Sequence, residues 1–460
     1  MLKIVFLILA LFYVSLFAYS LYQIWVKDRY VFLLVFLILY LPLYISFQSI
    51  FFAAVPSPGA LLGWQVLKEL IILIAVLSYV LKVRRPLHHR VRITTPDFLY
   101  LAFILLAFIF VLLPIGTATI SAKALYFKNM LLPTLMFFLG RNMRLRGNDQ
   151  QLVVGSIFTM IFLAFVINAV EVSSGVHFQK LIQYERYNFE VLENEPEGYY
   201  RLGWNFEKGP NSPRFAAFYA NSLEAGAVSI MFFCFAFYWF WHTRWRDNQL
   251  VFGALALMAW FTNYVAFGRS SLVGLVMALL FIAFLLRYYS LLLGTFGGVA
   301  LLLLLVVNFG SDDIRYFIID TITFRQASSF GHLVGWIEGV ESMIVNPQGI
   351  GIAMSGSSAL VEDELRTGGE NQFIIYGVQL GVVGLLLYLS LLVSSILYCM
   401  RSFHQLESLG DRLWPFVGGA TKFGILLPLF TSNAEFFPLL SSLSWWVVGY
   451  SIQLYKPTRL

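Results

Sequence analysis

The chain has 460 residues, of which 59% are hydrophobic and only 12% charged, with a mean hydropathy of +0.76 and a net charge of +6. That composition excludes a water-soluble globule and describes a polytopic membrane protein. The surplus of Lys and Arg implies no nucleic-acid partner, because the positive-inside bias of membrane loops already predicts it.

Apolar runs predict an all-α protein with spans at 4–26, 31–53, 60–81, 98–117, 122–140, 151–173, 214–241, 249–267, 270–286, 289–307, 372–400, 413–432 and 436–455. Thirteen are counted within a range of twelve to fourteen, and 1–460 reads as one integral membrane domain. Ala18-Tyr19-Ser20 has the look of a signal-peptidase site, but the apolar run continues to Val26 and is read as a retained span. Lys82, Arg84, Arg85, Arg90 and Arg92 form the densest basic cluster. Under alternation it shares a side with Arg141, Arg144, Arg146, Arg244, Arg246, Arg401, Arg412, Lys456 and Arg459, which makes that side cytoplasmic. Two long loops, 174–213 and 308–371, fall on the far side. Cys234 and Cys399 lie toward the cytoplasmic ends of spans and suggest no disulfide framework.

Ionisable residues within spans are expensive and mark functional candidates. Lys68 and Glu69 are adjacent in mid-span; Lys123 and Lys128 could face one cavity or snorkel to headgroups; Lys422 and Glu435 fit a structural role equally well. Arg214 opens the seventh span, and Arg269 sits in the outer turn Phe267-Gly268-Arg269-Ser270-Ser271. A guanidinium on that face suits a phosphate, which it holds with two parallel hydrogen bonds, although headgroup anchoring competes.

The stretch 331–384 joins a histidine, carboxylates and repeated glycines between two apolar runs. Leu333, Trp336, Ile337, Val340 and Ile344 share a helical face, which predicts an interfacial helix ending at Asn346, before Pro347. Gly349 and Gly351 permit a tight backbone path, and Ser355 to Gly369 reads as a mobile lid. Asn371 stands where it could cap the next helix or position a substrate.

Three blocks resemble the bacterial O-antigen polymerase and ligase superfamily of membrane glycosyltransferases. They are Arg214 with Tyr219 and Asn221; Gly268-Arg269-Ser270 with Gly274; and Trp336, Pro347, Gly349, Gly351, Asn371, Gly381 and Gly384 in order. Together they cover about residues 200 to 390. His332 occupies a place where the family often carries arginine, and Glu370 stands where ligases carry histidine, which favours the polymerase branch. The resemblance implies a GT-C-like fold in the bacterial inner membrane with its active site facing the periplasm. It also implies transfer of glycan from undecaprenyl-pyrophosphate-linked oligosaccharides, with membrane lipid and chain-length regulator and export proteins as partners.

The chemistry then needs cations for the leaving pyrophosphate and a base for the acceptor hydroxyl. Arg214, Arg269, Arg325 and Lys128 are the phosphate-binding candidates, Glu370 and His332 the catalytic ones, and Asn221, Trp336 and Asn371 the positioning ones. No zinc-type spacing is present, Asp312-Asp313 and Glu362-Asp363-Glu364 read as solvated loop, and no cofactor is expected. The alternatives are a ligase acting on lipid A core and, in another class, a flippase or transporter, against which the lack of an internal repeat argues.

Overall fold

The computed structural model describes residues 2–82, 93–209, 212–243, 246–309, 323, 327–356, 359–361 and 366–455. Arg84, Arg85, Arg90, Arg92, Arg244, Asp312, Asp313, Arg325, Glu362, Asp363, Glu364, Lys456 and Arg459 lie outside them. The helices are α1 (Leu2–Trp25), α2 (Val31–Tyr40), α3 (Tyr44–Ala54), α4 (Pro58–Gln65), α5 (Leu67–Lys82), α6 (Thr95–Leu112), α7 (Ile120–Asn142), α8 (Asp149–Ser174), α9 (Phe178–Leu181) and α10 (Tyr184–Glu190). A two-stranded hairpin, β1 (Glu207–Gly209) and β2 (Ser212–Pro213), precedes α11 (Ser222–His242), α12 (Arg246–Ala266), α13 (Arg269–Leu285) and α14 (Tyr289–Phe309). Then come α15 (Ala327–Val345), α16 (Gln372–Gln405), α17 (Leu409–Gly424), α18 (Leu426–Thr431) and α19 (Pro438–Leu454).

Among the described residues, eight helices are long and apolar enough to cross a membrane, or ten if each bent pair counts as one span. The bent pairs are α2 with α3, at 60°, and α4 with α5, at 40°. Lys68 and Glu69 therefore lie just after the bend between α4 and α5, and in mid-span if that pair is one broken span. The seventh predicted span also starts later than expected: residues 214–221 are not helical, and Asn221 caps α11 by accepting from Glu224 N at 2.9 Å.

Lipid offers helices no hydrophobic drive to associate, so close packing falls to small residues. Gly140 of α7 and Gly449 of α19 provide it. A Cβ on Gly140 would strike Trp446 O, and one on Gly449 would strike Phe137 O, so the two backbones touch. Gly274 of α13 and Gly424 of α17 do the same, a Cβ on Gly274 lying 2.5 Å from Gly424 O.

Polar side chains gather at the two ends of the bundle. At one end Arg29 pairs with Asp149 at 2.6 Å, Arg141 holds Asp97 through two bonds of 2.7 and 2.8 Å, and Lys82 reaches Asp28 at 2.5 Å. The Tyr238 hydroxyl donates to Leu409 O at that end, so the basic helix termini converge there. At the other end Ser46 donates to Phe218 O (2.7 Å), Ser49 to Ile182 O (2.9 Å) and Gln179 to Ala217 O (2.8 Å), which ties α3 and α9 to the segment before α11.

That second end is completed by a break in α16. Gly381 has φ 73° and ψ −178°, a conformation open only to glycine. The freed backbone groups meet the segment after α15: Ile350 N donates to Val378 O (2.9 Å), Gly351 N to Gln379 O (3.2 Å) and Val382 N to Pro347 O (3.0 Å). Gln379 adds its side chain, accepting from Ala353 N at 3.0 Å and donating to Ser355 O and Tyr126 OH at 3.0 and 2.9 Å. Irregular backbone at this depth is tolerated when protein buries it, and here the break and the inserted segment satisfy each other.

Candidate functional site

The hairpin β1–β2 delivers Arg214, whose backbone N donates to Phe206 O at 2.8 Å. Arg269 is the first residue of α13, and its Nη1 donates to Ser329 Oγ of α15 at 3.1 Å. Both arginines follow or precede strained backbone: Ala217 and Phe267 have φ of 48° and 49°, in the left-handed region that non-glycine residues avoid. The turn at Phe267 is held by Phe215 N bonding to Val265 O at 3.1 Å, so the two arginine segments are tied together through the backbone.

Together they open on a cavity of about 600 Å³. Arg214, Arg269, His332, Trp336 and Glu370 line it, with Asn205, Ser329 and Thr431 as further polar wall. The volume falls in the range of sites for sizeable ligands. Five of the residues singled out in the sequence are thus brought to one place.

Electrostatics there favour an anion. Burial and the neighbouring Arg269 lower the Arg214 guanidinium to about 10, against the pull of Glu207, so it stays charged at neutral pH. Its Nε is buried with no hydrogen-bond partner among the described residues. Lys208, whose Nζ lies 3.4 Å from the centre of the Phe267 ring, adds a third cation near Arg214. Burial pushes the Glu370 carboxyl up, partly offset by Arg366. Burial and Arg269 push the His332 imidazole down, which keeps it neutral at neutral pH. A neutral imidazole and a carboxylate with raised affinity for protons are the two kinds of group that can take a proton from a hydroxyl.

The other candidates stand elsewhere. Lys128 pairs with Glu69 at 3.0 Å and is absent from the cavity lining. Lys123 donates to Leu113 O and Ile115 O at 2.9 and 2.7 Å, closing the end of α6, so the two lysines do not share a cavity. Asn221 and Asn371 are helix caps: the Asn371 carbonyl accepts from Phe373 N and Ile374 N at 3.0 and 3.2 Å, and neither residue is on the cavity lining.

The helix expected before Pro347 forms as α15, and its apolar stripe divides. Ile337, Val340 and Ile344 are exposed, whereas Trp336 of the same predicted stripe faces the cavity. The packed face is made by glycine: a Cβ on Gly335 would lie 2.7 Å from Gly369 Cα, and one on Gly339 would strike Ile374. α15 thus packs its glycines on the start of α16, sets Trp336 on the cavity and leaves Ile337, Val340 and Ile344 exposed. Of the expected lid, residues 355, 356, 359–361 and 366–369 are described: Ser355 is buried and its Oγ donates to Thr367 O at 2.8 Å, while Leu360 and Arg366 are exposed.

Asn205, Ser329, Leu427 and Thr431 were not legible as site residues, because each arrives from an element distant in sequence. Among the described residues no three of His, Cys, Asp or Glu are grouped to hold a metal. The fold and cavity define a multi-pass helical membrane protein with an arginine-lined pocket at the end opposite its basic helix termini. No protein-family model and no curated protein matches the chain.

Proposed function

We propose that the protein is a membrane glycosyltransferase that joins polyprenyl-pyrophosphate-linked oligosaccharide units into an O-antigen or exopolysaccharide at the periplasmic face of a bacterial inner membrane. In this reading it has thirteen spans and both long loops outside. The observation that carries the reading is the meeting of Arg214 and Arg269 with Glu370 and His332 in one cavity.

Two guanidiniums suit the charge that develops on a leaving pyrophosphate. Glu370, with His332 beside it on the lining, takes the proton of the acceptor hydroxyl as the new glycosidic bond forms and the bond to phosphate breaks. Trp336 offers an aromatic face to a sugar ring. Ile337, Val340 and Ile344 of α15 are exposed apolar side chains beside the cavity wall, so a lipid carrier can keep its chain in the bilayer while its headgroup reaches the arginines.

Replacement of arginine by lysine keeps the charge and loses the paired geometry. Arg214→Lys and Arg269→Lys are expected to cut polymer synthesis roughly a hundredfold, while Arg186→Lys, in an exposed pair with Glu190, leaves it unchanged. The readout is glycan length on gels with repeat-unit supply confirmed. Near wild-type chains from both variants would remove the phosphate-grip mechanism. Deletion of the gene separates the readings of the whole protein: a lost polymerase leaves single repeat units on the surface, a lost ligase strands long chains on the carrier, and a lost flippase leaves unpolymerised units inside.

A further inference from the structure

Lys422, near the end of α17, and Glu435, in the turn before α19, lie 3.2 Å apart and are buried more deeply than any other ion pair among the described residues. Glu435 also accepts from the Tyr388 hydroxyl and from Trp445 Nε1, each at 2.8 Å, and the Lys422 ammonium lies 3.7 Å from the centre of the Trp445 ring. The space left beside the carboxylate, between Tyr100, Phe103 and Tyr376, is about 10 Å³, room for one water at most. Neither residue lines the arginine cavity.

Stability alone does not account for such a pair, since taking two charges out of water is costly and apolar residues of the same volume often serve as well. What the pair encloses gives it a use. Residues 423–434 lie between the partners and contain α18, whose Leu427 and Thr431 line the cavity. Phe430, between them, lies with its ring centre 4.8 Å from that of Phe373, tilted at 49°, and 6.4 Å from that of Trp336, edge-on at 67°. At its start the segment leans on α13, where Gly424 meets Gly274 below Arg269. The two charges therefore close a loop that spans from the helix of Arg269 to the ring beside His332.

We propose that Lys422 and Glu435 form a positioning clasp, which holds α18 as a fixed wall of the cavity at Leu427 and Thr431. Neither residue touches the substrate; they act through the segment they enclose. The inference rests on the transferase reading only for what occupies the cavity, and its test has one arm that needs no activity.

Single variants Lys422→Met and Glu435→Gln each leave one buried group uncompensated and are expected to lower the amount of protein in the membrane. The double variant Lys422→Met/Glu435→Gln removes both charges and should restore that amount. Two further readouts apply to the double variant. With Thr431→Cys added, and Cys234 and Cys399 replaced by alanine, labelling by a small thiol reagent should change severalfold in rate. Without Thr431→Cys, the half-saturating concentration of lipid-linked donor should rise about tenfold, because a wall displaced by an ångström misplaces the substrate. Wild-type labelling and wild-type synthesis in a well-folded double variant overturn the clasp. If the double variant is absent from the membrane, Tyr388→Phe removes one donor from Glu435 and keeps both charges; unchanged labelling there overturns it equally. Changed labelling in a protein whose unmodified form makes no polymer sustains the clasp and defeats the transferase reading.

Discussion

Glu370 carries a cost that its position explains. Burial raises its pKa above the ordinary 4.5, so the folded protein binds this proton more tightly than the unfolded chain. The resulting stabilisation is complete below the ordinary value and is lost as pH rises through the raised one, which leaves a penalised carboxylate at neutral pH. Glu370→Gln is therefore expected to raise the melting temperature in detergent at pH 8 and to give no gain at pH 4. The same substitution should abolish the acid limb of the pH–rate profile, which in the wild type falls above the ordinary carboxylate range. A variant less stable at pH 8, or a limb that survives, would exclude Glu370 as the base. Arg214, Arg269, His332, Trp336 and Glu370 were legible in the sequence because charge and aromatic rings at the edge of apolar runs are conspicuous. For Asn221 and Asn371 a polar residue before a span looks alike whether it serves a substrate or the helix itself; both cap helices, and neither is on the cavity lining. The pairing of Lys128 with Glu69, away from the cavity, was not legible because the two are remote in sequence.

At the scale of elements, the sequence shows where helices stop more readily than which way they face. Pro347 ended α15 where expected, and Gly349 and Gly351, with φ of 94° and 111°, do make a backbone path that other residues resist. The break inside α16 was hidden, since a lone glycine in an apolar run has many uses and only the 347–355 segment shows why Gly381 is needed. Gly381→Ala would put a Cβ 2.5 Å from Pro347 O in a backbone region closed to alanine. A loss of about 1–3 kcal/mol is expected, seen as a lower melting temperature and less protein in the membrane. Equal stability of the alanine variant would mean that the break is not constrained. The stripe on α15 divided between cavity and exterior because Gly335 and Gly339, which carry no hydrophobic signal, let the helix approach α16 on another face.

For the whole molecule, charge and topology make one argument. The basic helix termini were grouped by alternation along the sequence, and the cross-helix bonds bring them together independently, through Arg29 with Asp149, Arg141 with Asp97 and Tyr238 with Leu409. The arginines of the cavity lie at the opposite end with Ser329 and the segments around Ile182 and Phe218. If the basic end is cytoplasmic, the positive-inside rule places Arg214 and Arg269 on the side where cations are scarce, where a bound anion gives them a reason to be. Single cysteines test this in a background without Cys234 and Cys399, both of which are buried. Glu190→Cys, at the end of α10, should react with a membrane-impermeant thiol reagent in intact spheroplasts. Ser408→Cys, between α16 and α17, should react only after the membrane is opened. Both positions lie at exposed sites, so access to the reagent and not burial decides the outcome. Labelling of Ser408→Cys alone in intact cells would invert the protein in the membrane and turn its cavity toward the cytoplasm. It would leave the fold and the cavity intact but remove the periplasmic polymerase reading, because the arginines would then face the compartment where lipid-linked units are built and not the one where they are joined.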